Sequence, residues 1–295
     1  MPAPKAGIRL IVRTHSQYSL QKISPPLIFV NQRLRRRFVS TKFISLLFLS
    51  LFFSTGAFAR PSQSIIQRIL LQGVPADALD RILQFIDDNQ GRSFPQDTYT
   101  CLGKPPEDVT PCDEAKRFPT TRYVTFWNPK QVVIVDYGAP STDYRFYLIN
   151  LLSGEVKYFY SAHGVGSGKS NYATKFSDIK NSRQTSLGIF MTGEVYKGSY
   201  GNTMRMYGLQ SSNAQAYNRD IVLHGAWYVS EQFINSKDPT TGEAYGRLGV
   251  SWGCPAVELS YIASLIKTLG YGSLIMHYRN SLMDLAQGGQ EVSLP

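Results

Sequence analysis

Four consecutive segments beginning at residue 122 are rich in valine, isoleucine, tyrosine and phenylalanine, which favour strands. They read RYVTFW, QVVIVDY, YRFYLINL and GEVKYFYSA, and turn residues such as Asn128, Pro129 and Gly154 separate them. Short strands joined by short turns predict an antiparallel meander. DIVLHGAWYV and SLIMHYR predict two further strands. The chain is therefore predicted to be mainly β from residue 122 onward.

Apolar residues at helical spacing predict two short helices within residues 62–90 and a third over residues 257–269. Their apolar stripes are Ile65, Ile66, Ile69 and Leu70; Leu79, Ile82, Leu83 and Ile86; and Leu259, Ile262, Leu265, Ile266 and Leu269. The first two helices are predicted to form a small helical cap packed on the β domain. Residues 92–121 are rich in proline and are predicted to be a linker, and residues 164–220 are predicted to be mostly loops.

The net charge of +10 first suggests a polyanionic partner, but its distribution excludes that interpretation. Residues 1–60 contain ten of the 31 lysines and arginines and no acidic residue. The remaining 21 basic residues are balanced by 21 acidic ones. Nothing in the composition of the remainder therefore favours a nucleic-acid partner.

The order of features in residues 1–59 predicts a secretory signal peptide with an extended basic leader. Basic residues precede the apolar run at 43–53, and an A-x-A cleavage pattern follows at Ala57 and Ala59. The run is shorter than the roughly 20 residues of a membrane span, although an uncleaved anchor is the alternative. We predict a periplasmic or extracytoplasmic protein with no stable membrane span once the signal is removed.

These patterns divide the chain into four predicted regions. The signal peptide occupies residues 1–59, and the helical cap with its linker occupies residues 60–121. A catalytic domain is predicted over residues 122–280, and residues 281–295 form a C-terminal tail.

The chain has three cysteines, and export permits disulfides. Cys101 and Cys112 flank a short polar loop and are the predicted pair, which leaves Cys254 as the odd thiol. A leftover thiol of this kind is a nucleophile, a buried inert residue or a metal ligand. A metal is disfavoured because one cysteine and scattered histidines lack zinc-type spacing. We predict no metal site and no cofactor.

His224 and Cys254 are the residues whose surroundings favour chemistry. His224 ends an apolar strand and precedes Gly225, whereas His277 is predicted to be a hydrogen-bonded core residue. Cys254 is predicted to lie just before a helix, whose unpaired N–H groups would lower the thiol pKa, and the N–H groups around Gly253 and Cys254 would hold an oxyanion. A cysteine and a histidine that meet in space form an acyl-transfer site, but spacing alone leaves the alternatives open.

The segments IVLHGAWYV and GRLGVSWGCPAV resemble the histidine and S-x-G-C signature of L,D-transpeptidase catalytic domains, which cross-link bacterial cell walls. VVIVDYGAPS, AHGVGSG, TKFS and SLGIFMTGEVYKG extend the resemblance from residue 130 to residue 278. It implies a β-sandwich or mixed sheet with a helix after the catalytic cysteine, preceded here by the helical cap.

The resemblance also implies roles for individual residues. Cys254 corresponds to the nucleophile, His224 to the base, and the Gly225 carbonyl to the group that orients the imidazole. Ser251 and Gly253 match the small positions of the signature, and together with Trp252 they are predicted to shape the oxyanion pocket. Two residues depart from the pattern: Trp252 stands where many members have histidine, and Ala256 stands where many have arginine or asparagine.

The predicted function is that of an exported cysteine acyltransferase acting on peptidoglycan stem peptides. An L,D-carboxypeptidase acting on the same tetrapeptide stems and a non-catalytic wall-binding module are the alternatives, and a general secreted cysteine peptidase is a further rival. The peptidase would orient His224 with an asparagine or aspartate side chain. Possible substrate contacts are His163, Tyr196, Arg205 and Arg247.

Overall fold

The computed structural model describes residues 60–127, 129–286 and 288–294, so the predicted signal peptide lies outside the described residues. The helical region consists of α1 (Gln63–Leu70) and α2 (Ala76–Asn89). The Ser62 hydroxyl accepts the Ile65 N–H and caps α1, and Pro75 precedes α2. Gly91 follows α2 with a φ of +74°, a conformation that glycine adopts without strain.

The prediction that residues 92–121 form a linker is wrong, because most of these residues belong to a β-hairpin. β1 (Ser93–Cys101) and β2 (Arg117–Thr125) pair antiparallel over nine residues, with a short 3₁₀ helix at Glu114–Lys116 before β2. Pro95 and Pro119 lie within the strands and obscure the strand pattern in the sequence. A disulfide between Cys101 and Cys112 closes the loop of this hairpin.

Eight further strands form one mixed sheet. They are β3 (Gln131–Asp136), β4 (Phe146–Asn150), β5 (Val156–Phe159), β7 (Gly188–Gly198), β8 (Gly201–Gly208), β9 (Val222–Ala226), β10 (Ala256–Glu258) and β11 (Leu274–Tyr278). Their order across the sheet is β10-β9-β8-β7-β11-β3-β4-β5. The β9–β10 and β3–β11 pairs are parallel and the others are antiparallel. β6 (Lys175–Phe176) and β12 (Val292–Ser293) form a separate two-stranded ladder.

The sheet confirms the predicted fold class and corrects one part of it. The antiparallel meander appears as β3, β4 and β5, and the strands predicted around His224 and His277 appear as β9 and β11. The segment 164–220, predicted to be mostly loops, instead contains the long hairpin of β7 and β8. Its strands contain several glycines and polar residues, which weakened the strand pattern.

Alternating side chains of the sheet face two separate cores. Val132 and Ile134 of β3 pack with α1, α2 and residues of the β1–β2 hairpin. Val133 and Val135 point to the opposite face and pack with α4 (Leu259–Leu269). A short helix, α3 (Glu231–Asn235), follows β9. In the described ranges, no helix is both long and apolar enough to cross a membrane.

Candidate active site

The structure places His224 and the segment containing Cys254 on neighbouring strands. His224 is the middle residue of β9, where it pairs with Thr203 of β8 on one side and Ala256 of β10 on the other. Cys254 lies two residues before Ala256 in the chain. The β9–β10 pairing therefore brings the predicted base and the predicted nucleophile to the same edge of the sheet.

The His224 ring is oriented by the backbone. Its Nδ1 lies 2.9 Å from the Gly225 carbonyl oxygen, which can only accept, so Nδ1 carries the proton and Nε2 of the neutral ring is an acceptor. The Tyr200 ring stacks on the imidazole with 6.3 Å between centroids. Burial lowers the pKa of His224 below 6.5, against the opposing hydrogen bond to Gly225. The ring is therefore neutral at pH 7.

Gly225 has no room for a side chain. A Cβ at this position would lie 2.8 Å from Cγ2 of Ile262, because α4 packs directly against β9. The glycine therefore allows the helix after Cys254 to approach the strand that carries His224.

The Cys254 sulfur contacts the backbone where the segment after β8 enters β9. Its S–H donates to the Asp220 carbonyl oxygen at 3.6 Å, and the sulfur accepts a hydrogen bond from the Val222 N–H. Burial raises the pKa of Cys254 to about 11, which the Val222 hydrogen bond and the charge of Arg219 only partly oppose. Within the described part of the chain, no hydrogen bond joins this thiol to His224.

The prediction that a helix terminus lowers the Cys254 pKa is wrong. α4 begins at Leu259, and the strand β10 separates it from Cys254. The influence of a helix N-terminus falls off within its first turn, so it does not offset the burial of the sulfur. The thiol is therefore protonated at rest.

The small residues around Cys254 form a tight turn. The Ser251 hydroxyl donates to the Cys254 carbonyl at 2.7 Å and accepts the Gly253 N–H at 3.1 Å. Gly253 has a φ of +115°, and a Cβ there would lie 2.6 Å from the Gln184 carbonyl oxygen. Only glycine fits this position without displacing the backbone. The Gly253 N–H, predicted to help hold an oxyanion, is already bonded to Ser251.

Two of the four predicted substrate contacts are buried. His163 is fully buried, with Nδ1 2.9 Å from the Arg145 guanidinium and Nε2 3.1 Å from the Gly168 carbonyl oxygen. Burial and the charge of Arg145 lower its pKa to about 3. Arg205 is also fully buried and forms an ion pair with Asp220 at 2.8 Å. The expectation that His163 and Arg205 contact substrate is therefore wrong for this conformation, because neither side chain reaches solvent.

The other two predicted contacts remain partly accessible. Tyr196 lies beside Arg205, whose guanidinium is 5.5 Å from the ring centroid, and burial raises the Tyr196 pKa to about 12. Arg247 donates to the Leu248 carbonyl at 2.7 Å and lies 5.8 Å from the Tyr245 ring centroid. His277 is a fully buried core residue bonded to the Ser186 carbonyl, as predicted.

Cys254 and Trp252 line a cleft of about 400 Å³ that is rich in positive charge. Its cationic residues are Arg117, Lys180, Arg183 and Arg219, and its acidic residues are Glu114 and Asp220. The Trp252 side chain is largely solvent-exposed, and the Arg183 guanidinium lies 4.6 Å from the ring centroid. None of these cations was predicted, because they come from distant segments with no local sequence signal.

Asp220 is the second feature that the sequence did not reveal. Its φ is +55°, and its carboxylate accepts from Arg117 at 2.5 Å, from Arg205 at 2.8 Å and from the Tyr99 hydroxyl. Tyr99 and Arg117 belong to the β1–β2 hairpin, so this hairpin supports the residue whose carbonyl contacts the Cys254 thiol.

No group of three metal-ligating side chains is arranged to hold a metal ion within the described ranges.

The L,D-transpeptidase catalytic domain family matches residues 120–278, more than half of the chain. A comparison with curated proteins found no match.

Solved structures similar to this chain include several L,D-transpeptidases. LdtMt1 in complex with imipenem has 14% identity and a TM-score of 0.29, with 55% of this chain and 63% of that chain covered. An enzyme from Mycobacterium smegmatis has 14% identity and a TM-score of 0.30, with 54% and 63% covered. One from Mycobacterium tuberculosis H37Rv has 10% identity and a TM-score of 0.30, with 70% and 86% covered. The chain thus spans 63% of the length of the first two structures.

Proposed function

Because this chain belongs to the L,D-transpeptidase catalytic domain family, we propose that it is an exported cysteine acyltransferase acting on peptidoglycan stem peptides. The observation that carries the proposal is the β9–β10 pairing, which brings the segment with the free thiol of Cys254 beside a histidine oriented through its Nδ1. Residues 1–59 would direct export, residues 60–121 would form the cap and hairpin, and residues 122–280 would form the catalytic domain. Residues 281–295 would be the tail.

In the proposed reaction, Cys254 attacks the carbonyl of the third, L-configured centre of a tetrapeptide stem. The thiol leaves the Asp220 carbonyl and passes its proton to Nε2 of His224 as the sulfur–carbon bond forms. The Cys254 N–H stabilises the oxyanion of the tetrahedral intermediate. His224 then protonates the amine of the terminal D-alanine, which leaves, and a thioester remains.

An amine of a neighbouring stem then attacks the thioester and gives its proton to His224, which returns it to the departing sulfur. The product is a cross-linked dimer. If water attacks instead, the product is a tripeptide and the enzyme is an L,D-carboxypeptidase. A wall-binding module would leave the stem peptides unchanged.

The deciding experiment incubates the mature protein with disaccharide-tetrapeptides and identifies the products by mass. Dimers that have lost one D-alanine indicate transpeptidation, tripeptides indicate carboxypeptidation, and no change indicates binding only. Cys254→Ala and His224→Gln are expected to abolish turnover. The proposal fails if purified Cys254→Ala protein processes the peptides as well as the wild type does.

A second measurement tests the nucleophile directly. Carbapenems are expected to acylate Cys254, so incubation with imipenem should increase the intact mass of the wild type by one adduct. Cys254→Ala is the matched control, because Cys101 and Cys112 are joined in a disulfide. An unchanged wild-type mass would count against the proposed acyl-enzyme.

A further inference from the structure

The position two residues after Cys254 offers the substrate no polar group in this chain. Ala256 is fully buried in a small core with Ala162 and Ala226, so position 256 neither carries a polar group nor faces the cleft. Any polar recognition of the substrate near Cys254 must therefore come from other residues that line the cleft.

Three of the four cations in the cleft are already paired with carboxylates of the chain. Arg117 pairs with Asp220 at 2.5 Å, Lys180 with Glu114 at 3.0 Å, and Arg219 with Asp178 at 3.0 Å. Arg183 is exposed, and no carboxylate among the described residues lies within ion-pair distance of it. Arg183 is therefore the cation of the cleft with an uncommitted charge.

The Arg183 guanidinium is nevertheless held in place. Its charged carbon lies 4.6 Å from the centroid of the Trp252 ring, within the range of a cation–π contact. The backbone is fixed as well, because the Arg183 carbonyl accepts the Gly166 N–H at 3.0 Å. Stacking occupies the face of a guanidinium and leaves its in-plane N–H donors available for a carboxylate.

We propose that Arg183, held by Trp252, binds a free carboxylate of the stem peptide beside Cys254. This inference rests on the proposed function and gives Trp252, where many relatives have histidine, the role of supporting the recognition residue. A carboxylate is the fitting ligand because it meets the guanidinium edge with two parallel hydrogen bonds. The carboxylate belongs either to the terminal D-alanine or to the D-glutamate of the stem.

The test compares Arg183→Gln with wild type on three tetrapeptides: the free acid, the terminal D-alaninamide and the D-glutamate α-amide. With the free acid, Arg183→Gln is expected to raise KM roughly 10- to 100-fold, the range for losing hydrogen bonds to a charged group, with kcat little changed. Amidation of the carboxylate that Arg183 binds should raise the KM of wild type by the same factor and leave the KM of Arg183→Gln unchanged. The tetrapeptide amide that has this effect identifies which carboxylate is bound.

Matched variants separate recognition from general surface charge. Arg92→Gln is the control, because Arg92 is also exposed and stacks on an aromatic ring, Phe94, with 5.5 Å to the centroid. Arg183→Lys should restore only part of the binding, because lysine keeps the charge but lacks the planar fork. Trp252→Leu should raise KM less than Arg183→Gln does.

Two outcomes overturn the inference. Either the KM of Arg183→Gln equals that of Arg92→Gln, or the rise in KM caused by Arg183→Gln persists unchanged with both amides.

A binding measurement keeps this test independent of catalysis. Cys254→Ala protein is titrated with the same peptides, and tryptophan fluorescence reports the dissociation constant. Carboxylate-dependent binding through Arg183 without wild-type turnover would support the inference and refute the proposed function. Turnover that does not depend on Arg183 would support the proposed function and refute the inference.

Discussion

The protonated resting state of Cys254 leads to a sharp prediction about how its reactivity depends on pH. A pKa raised from 9.0 to about 11 reduces the thiolate fraction at pH 7 from roughly 1 in 100 to roughly 1 in 10,000. Because only the thiolate is alkylated, the folded protein should react with iodoacetamide about 100-fold more slowly at pH 7 than the same thiol in the unfolded chain.

The assay follows alkylation by intact mass between pH 6 and pH 10.5, in buffer and in urea. Limited access of iodoacetamide to the sulfur lowers the alkylation rate by the same factor at every pH. The slope of the logarithm of this rate against pH therefore reports only the ionisation of the thiol. The logarithm of the rate in the folded protein should rise in proportion to pH, with no plateau below about pH 10. In urea the rate should level off near pH 9, the ordinary thiol range. Cys254→Ala provides the unlabelled control.

His224→Gln tests whether the imidazole affects the ionisation of Cys254 in the resting protein. If the imidazole accepts the proton only during the reaction, this variant loses turnover but keeps the wild-type pH dependence of alkylation. A plateau below pH 8 in the wild type that disappears in His224→Gln would refute the reasoning. It would show instead that a thiolate–imidazolium pair exists at rest.

Three further predictions concern stability. Gly253→Ala should abolish turnover and lower the free energy of unfolding by more than Gly242→Ala does, because the Cβ added at Gly253 meets the Gln184 carbonyl. Gly242→Ala, with a φ of +77° and no atom within 4 Å of the added Cβ, should cost only the roughly 1–2 kcal/mol of a left-handed residue in urea unfolding. Replacing both Cys101 and Cys112 by serine should lower the free energy of unfolding by about 3 kcal/mol, as expected for a short closed loop, and an unchanged urea midpoint would contradict this. His163 and His277 have pKa values lowered to about 3 and about 4, so the folded chain stays neutral at these rings while the unfolded chain takes up protons below pH 6.5. Stability should therefore fall as pH decreases through this window, by about 3 kcal/mol between pH 7.5 and pH 5.5, and a flat urea midpoint would count against it.

The sequence predicts the elements whose pattern is local. Val132 to Val135 form a continuous apolar run, and the stripe from Ile262 to Leu269 has helical spacing, so β3 and α4 are evident without the structure. The β1–β2 hairpin is not evident, because Pro95 and Pro119 carry signals for turns. β10 is only three residues long, too short to leave a pattern, and its presence changes the expected surroundings of Cys254.

The candidate site could be predicted where the proposed chemistry depends on residue type in a short motif. Cys254 and His224 have this character, whereas Arg183 and Asp220 are distinguished by contacts with residues far away in the chain. Burial is the other quantity that spacing does not reveal. It removed His163 and Arg205 from the expected substrate contacts and set the direction of the Cys254 pKa.

The ion pair between Arg205 and Asp220 restricts how this sequence can vary. Removing Asp220 leaves the buried charge of Arg205 without a carboxylate, and removing one partner of a buried pair costs about 3–5 kcal/mol, whereas replacing both with apolar residues is often neutral. A change at Asp220 alone should therefore be selected against more strongly than a change at Arg205 alone, after which Asp220 still pairs with Arg117. The two positions should also change together among homologous sequences. Because Tyr99 and Arg117 also bind Asp220, this covariation should extend into the hairpin, upstream of the segment that the family shares.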